Sequence, residues 1–237
     1  MTTPSATVTT ERAGIRLPAV LALLAGVTDV TSWILLGGLF TAHITGNLVV
    51  LGANLVTGTP PRLAAVLALP VFVVTVIVAT LVSRHFADQR ARAGTVLLGA
   101  QAVFLIAAAV LSFTTTASAA PDAPLSVVIG LSAVTAMATQ NAYLHLVPAK
   151  AYSTAVMTGN LVAATIAGAD LLLGRGASTG ARERWTGSWP LLAGFVGGCL
   201  VGAAASTLLG DHAAVVPAVF ALELLGATAF RRGEPAP

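Results

Sequence analysis

Asp29 stands in the run LLAGVTDVTSWILL, a carboxyl group in the middle of an apolar segment. At the centre of a lipid-spanning helix such a group costs about 2.5–3.5 kcal/mol on insertion scales, so it should face a bundle interior or a wet cavity. Two roles suit it. One is proton or cation coupling; the other is a structural carboxyl satisfied by the hydroxyls of Thr28, Thr31 or Ser32. The pentapeptide TGNLV occurs twice, at 45–49 and again at 158–162. Gly46 and Gly159 let backbones approach closely or let a helix break, while Asn47 and Asn160 can both donate and accept hydrogen bonds. If Thr45 and Thr158 cap short helices, the free amides and the positive dipole end form a place for an anionic group or a dipolar solute. The plainer alternative is that small residues and an amide hold helices together.

The densest uncharged polar patch in any apolar run is TQNAYLH, 139–145. On a helix Asn141 and His145 are i,i+4 neighbours on one face. Together with Tyr143 they could line a hydrogen-bonding solute site, or serve as interhelical polar contacts. With a one-residue gap, Asp29 aligns with Asn141: the first stands 18 residues before Asn47, the second 19 before Asn160. Of the other ionisable groups, Asp170 can reach interfacial water, and Glu223 lies deep in the last apolar run, where pairing with another helix is expected. His43, just before the first TGN, suits an interface or a proton shuttle equally. Trp33 is too deep for an aromatic belt, whereas Trp185 and Trp189 fit one.

The elements that must position these residues are dictated by composition. The chain of 237 residues is 56% hydrophobic and 9% charged, with a mean hydropathy of +0.89. A soluble domain carries about a quarter charged residues, so this balance cannot cover a water-facing surface. The net charge of +3 sits singly and in pairs at segment ends, a distribution that fits topology signals rather than nucleic-acid binding. The lone Cys199 lies in an apolar run, and no histidine cluster has metal-ligand spacing. No P-loop, HExxH, GxSxG or post-strand GxGxxG motif occurs. The expectation is therefore a membrane protein that is not an enzyme, with no cofactor and no metal.

Apolar segments fall at 17–39, 43–57, 62–83, 94–116, 125–147, 154–174, 189–209 and 214–230. Six are long enough to span about 20 residues of hydrocarbon-facing helix. The two that carry TGNLV are short or open on polar residues. Basic loops hold Arg84, Arg90 and Arg92, then Arg175, Arg182 and Arg184, while the loops at Asp122 and Asp211 are not basic. Placing every basic loop in the cytoplasm requires 43–57 and 154–174 each to enter and leave on one side. The expected fold class is an all-α integral membrane protein with six full transmembrane helices and two short or re-entrant TGN helices; seven or eight full spans is the alternative. Residues 1–16 are expected as a disordered cytoplasmic tail, 17–116 and 125–230 as two membrane repeats of inverted topology joined by the loop 117–124, and 231–237 as a second cytoplasmic tail. Inverted repeats place solute sites at the repeat interface near the midplane in many secondary transporters.

GVTD followed by FTAHITGNLV in the first half, with QNA and then VMTGNL in the second, resembles the YoaK family of small bacterial inner-membrane proteins, whose domain has no assigned function. The likeness covers nearly the whole chain. It departs in HITGN, where the family more often has a methionine before TGN. The resemblance implies a multi-pass inner-membrane protein of about this length and supplies no substrate. Physical reading of the residues then favours a small-solute transporter or channel, with a polar site between the TGN motifs and Asp29 as the candidate proton-coupling group. The expected partners are the lipid bilayer, a small polar or anionic solute, and a second copy in a homodimer. A non-transporting assembly or sensory partner is the runner-up.

Overall fold

The computed structural model describes residues 5–147, 157–174 and 180–233. Among these every regular element is helical: α1 (Ser5–Leu35), α2 (Thr45–Thr57), α3 (Leu63–His85), α4 (Arg90–Leu111), α5 (Pro124–Leu146), α6 (Met157–Leu172), α7 (Ala181–Leu209), a 3₁₀ turn (Gly210–Ala214) and α8 (Val215–Gly233). Five stretches are long and apolar enough to cross a membrane: Leu17–Leu35, Leu63–His85, Arg90–Leu111, Pro124–Leu146 and Ala181–Thr228. The last has 48 residues, and the 3₁₀ turn divides it into α7 and α8. α2 and α6 are shorter apolar helices. The protein is thus an all-α membrane protein.

Several boundaries differ from expectation: α1 ends at Leu35 rather than 39, α4 runs Arg90–Leu111 rather than 94–116, and α8 continues to Gly233, into the expected tail 231–237. α1 begins at Ser5, so residues 5–16, expected as a disordered tail, continue the first helix. Once the packed span has nucleated a helix, extending it requires only propagation. α7 begins at Ala181 rather than at 189, which places Arg182 and Arg184 in its first turn. Arg184 there pairs with Asp170 of α6 at 3.1 Å, so Asp170 has a partner besides interfacial water. The sequence stretches 148–156 and 175–179, which hold parts of two expected loops, lie outside the described residues.

The bundle has two loop faces. On one, Arg62 pairs with Asp122 at 2.6 Å, and Asp211 accepts from the Ser118 amide and hydroxyl. Gly37, just beyond α1, lies against the Arg62 guanidinium, so α1 ends where α3 starts. On the opposite face Arg84, Phe86 and Arg90 gather with Leu146 and Val147.

Inside, α1 packs on α7, α3 and α4 on α5, α4 on α8, and α6 on α7. The α1–α7 crossing is close because Gly194, Gly198 and Gly202 recur every fourth residue. A Cβ on each would collide with the carbonyl oxygens of Ala19, Leu23 and Val27 in turn, and one on Gly26 would meet the Phe195 carbonyl. Small residues at helical spacing let two backbones approach where lipid supplies no hydrophobic drive. A buried amide relay fastens three helices: Gln101 Nε2 donates to Gln140 Oε1 at 2.8 Å, and Gln140 Nε2 donates to the Leu21 carbonyl at 2.9 Å.

Candidate functional site

α1 stops at LLGGLF. Gly37 and Gly38 take positive φ of 66° and 92°, and the Gly38 amide donates back to the Trp33 carbonyl at 2.9 Å. That six-to-one bond, with glycine at the left-handed position, closes the helix end. Residues 36–44 then run inward along the bundle to the start of α2. Leu36 and Leu39 press on Gly130 of α5, where a Cβ would lie 3.2 and 2.7 Å from their methyl carbons.

Asp29 holds this inward run. Its Oδ1 accepts from the Thr41 amide at 2.8 Å, the Thr41 hydroxyl at 2.9 Å and the Ala42 amide at 2.7 Å. Its Oδ2 accepts from the His43 amide at 3.3 Å and pairs with His43 Nδ1 at 2.6 Å. The adjacent hydroxyls are occupied otherwise: Thr28 donates to the Leu24 carbonyl and Thr31 to the Val27 carbonyl. The carboxyl of α1 therefore organises residues 41–43, twelve to fourteen positions further on.

The first TGN completes the same clasp. Asn47, 1% exposed, accepts from the Phe40 amide at 3.0 Å and donates to the Phe40 carbonyl at 2.8 Å, as a paired strand would. Gly46 leaves room for the Phe40 ring, whose Cδ2 would lie 2.6 Å from a Cβ. That ring also meets Trp33, centroid to centroid at 4.7 Å; Trp33 thus packs at the end of α1. Thr45 does not cap α2. Ile44 holds the cap position without a side-chain bond, and the Gly46 and Asn47 amides donate to the His43 and Ile44 carbonyls. The open amides that an anion would need are already paired.

Where this clasp meets α3 and α5 there is a cavity of about 680 Å³. Its wall is largely apolar, and its polar groups come from His43, Thr45, Thr80, Asn141 and His145. Asn141 Nδ2 donates to the Met137 carbonyl at 3.0 Å, and its buried Oδ1 has no partner. His145 Nδ1 lies 2.8 Å from the Asn141 carbonyl. Thr80 donates to the Val76 carbonyl. Phe195 of α7 stands edge-on to His43 at 4.9 Å and also packs against the cluster of Ala22, Met157 and Leu191.

The structure thus brings together Thr45, Asn141 and His145, with Asp29 behind His43. Gly46 and Asn47 serve the clasp. Tyr143 is buried in a cluster with Leu97, Leu98 and Leu144, away from the cavity lining. At the second TGN, Thr158 and Gly159 are exposed and Asn160 is buried, and none of the three lines the cavity. Glu223 lies on the outward face of α8 beside Val219 and Leu222. The residues alone leave His43 undecided and give no sign of the Gln101 relay. The α7 glycines do leave a signal, their four-residue spacing, which sequence reasoning passed over. Among the described residues no three His, Cys, Asp or Glu side chains converge on a point where a metal could bind.

Neither a curated protein nor a solved structure matches the chain. A family model does, over residues 17–227, and its span takes in the clasp, the cavity and both TGN helices. By that match the chain belongs to the DUF1275 family, described as proteins of unknown function and the one to which YoaK belongs.

Proposed function

We propose that this protein is a small-solute transporter or channel of the bacterial inner membrane, and that the cavity between the α2 start, α3 and α5 is its solute site. The observation that carries this is a half-open cavity of about 680 Å³ in an otherwise apolar bundle, lined by α3, α5 and the non-helical run before α2 and furnished with two imidazoles, beside a buried Asn141 oxygen without a partner. Buried polar groups are normally satisfied, and an exception at a cavity marks a place where something else binds.

The chain then crosses the membrane six times, α7 and α8 counted separately, and α2 and α6 are re-entrant helices. The support for α2 is that α1 ends and α3 begins on one face, with the α2 start lying between, near Thr80 and His145. The cluster Arg84 to Arg92 lies opposite Asp122 and Asp211, so the N-terminal end of α1 and the C-terminal end of α8 belong to the cytoplasmic side. An inverted repeat is supported by exchanged partners: α1 packs on α7 as α5 packs on α3. The outward carboxyl of Glu223 favours association through α8, as a homodimer or, in the second reading, with another membrane protein.

The test is flux from liposomes holding the purified protein, over a panel of neutral, anionic and cationic small solutes. Uptake above empty liposomes, lowered at least tenfold by Asn141→Leu, is expected. Equal flux with and without the protein across the whole panel would leave the partner reading in its place.

A further inference from the structure

We propose that the cavity takes a small cation bearing N–H donors, of the ammonium or primary-amine class, and that this cation competes with a proton for His43. This rests on the cavity being the solute site. It narrows the solute to one chemistry.

The protonation pattern follows from the partners. His43 Nδ1 faces a carboxylate oxygen at 2.6 Å, and His145 Nδ1 faces a backbone carbonyl at 2.8 Å. Both oxygens accept, so both Nδ1 atoms carry the hydrogen, and in each neutral ring Nε2 keeps a lone pair. Asn141 is oriented the same way: its amide nitrogen must face the Met137 carbonyl, because the flipped amide would set two acceptors against each other. That leaves Oδ1 buried and without a donor. Thr80 spends its hydrogen on Val76 and retains its lone pairs. Of the polar groups of the wall, the two imidazoles and Thr80 offer acceptors and the Thr45 hydroxyl can donate or accept, with the Asp29 carboxylate behind His43.

Among the described residues no lysine or arginine lines the cavity, and the first amides of α2 are paired with the His43 and Ile44 carbonyls. Phe72 adds an aromatic ring, which attracts cations over its face. A cation with N–H groups suits the imidazole nitrogens and the Thr80 oxygen, beside the buried Asn141 Oδ1.

Protonating His43 converts Nε2 from acceptor to donor and neutralises the Asp29 charge, so the same site then repels the cation. The groups that face His43 are Asp29 from α1 and His145 from α5. From α7 comes Phe195, and Cys199 of the same helix lies near Asp29; among the described residues α3 brings the uncharged Phe72, Val76 and Thr80. Protonation of His145 acts in the same direction. A substitution at position 43 is what separates the two.

The experiment is equilibrium binding of radiolabelled methylammonium to the full chain in nanodiscs, across a pH series. Saturable binding that weakens at least tenfold as pH falls is expected. Ammonium and ethylammonium should displace the probe, whereas acetate and tetramethylammonium, which has no N–H donor, should not. His43→Gln, checked for an unchanged gel-filtration profile, should bind more weakly and with a flatter pH response. Displacement by acetate, or equal displacement by tetramethylammonium, overturns the proposal. So does absence of saturable binding to the unaltered protein at any pH, or an undiminished pH response in His43→Gln. Flux of glycerol or acetate that Asn141→Leu abolishes, without methylammonium binding, keeps transport and removes this inference. Methylammonium binding without flux does the reverse.

Discussion

Asp29 accepts five hydrogen bonds or ion-pair contacts from three consecutive residues, and three of the donors are backbone amides that cannot turn round. Its role at the residue scale is to hold the inward run in place and to set the tautomer of His43. Asp29→Asn should place an amide nitrogen among donors and remove the charge. A hydrogen bond to a charged group contributes about 1.5–3 kcal/mol, so the variant should unfold at a clearly lower temperature. A cysteine at Leu39 should also become more reactive to a thiol reagent; unchanged melting and reactivity would sink the clasp. Gly46→Ala belongs to the same scale. Its Cβ would press on the Phe40 ring, so it should destabilise the protein, and Phe40→Leu in the same chain should restore most of the loss on a melting curve.

At the element scale the informative contact is α1 against α7. Gly198 meets the Leu23 backbone, whereas its neighbour Gly197 has nothing within 4 Å of a Cβ position. Gly198→Leu should force the helices apart and abolish a monodisperse product, while Gly197→Ala should leave stability unchanged or slightly raised, because alanine favours helix by about 1 kcal/mol over glycine. Equal effects at both positions, read by thermal melting and gel filtration, would contradict the crossing described. The amide relay from Gln101 through Gln140 to Leu21 is a second fastening, and it joins α4 and α5 to α1 rather than facing the cavity.

For the whole molecule, the opposed loop faces make a topology prediction. Cysteines at Thr59 and Ala119 should label from one side of the membrane, and a cysteine at Ala87 from the other. Labelling of a further cysteine at Ile34, near the end of α1, from the side opposite to Thr59 would mean that α2 crosses. Glu223 raises a separate expectation, since a carboxyl on a lipid-facing surface is costly unless covered. A cysteine at Leu222 should form a disulfide with a second copy under mild oxidation. A monomer by light scattering in nanodiscs, with no cross-link, would remove the homodimer.

Much of this molecule is legible in its residues alone. Low charge and repeated apolar runs determine a helical membrane protein, because hydrocarbon leaves backbone groups no partner outside a helix. Asp29 and the first TGN also mark a place where polar groups are gathered, whereas at the second TGN Thr158 and Gly159 are exposed. Which partner each finds is not legible. Asp29 has hydroxyls within one turn, yet it bonds residues twelve to fourteen positions on, because two glycines end α1 and turn the chain back past it. Asn47 has the chemistry of a solute ligand and is spent on Phe40. His43 is no more marked in the sequence than any interfacial histidine; Asp29 on one side and the cavity on the other give its two nitrogens different tasks. Composition and periodicity report how each residue meets lipid or neighbour along one helix. Partnerships between helices depend on where the loops bring the chain, and only the tertiary structure decides that.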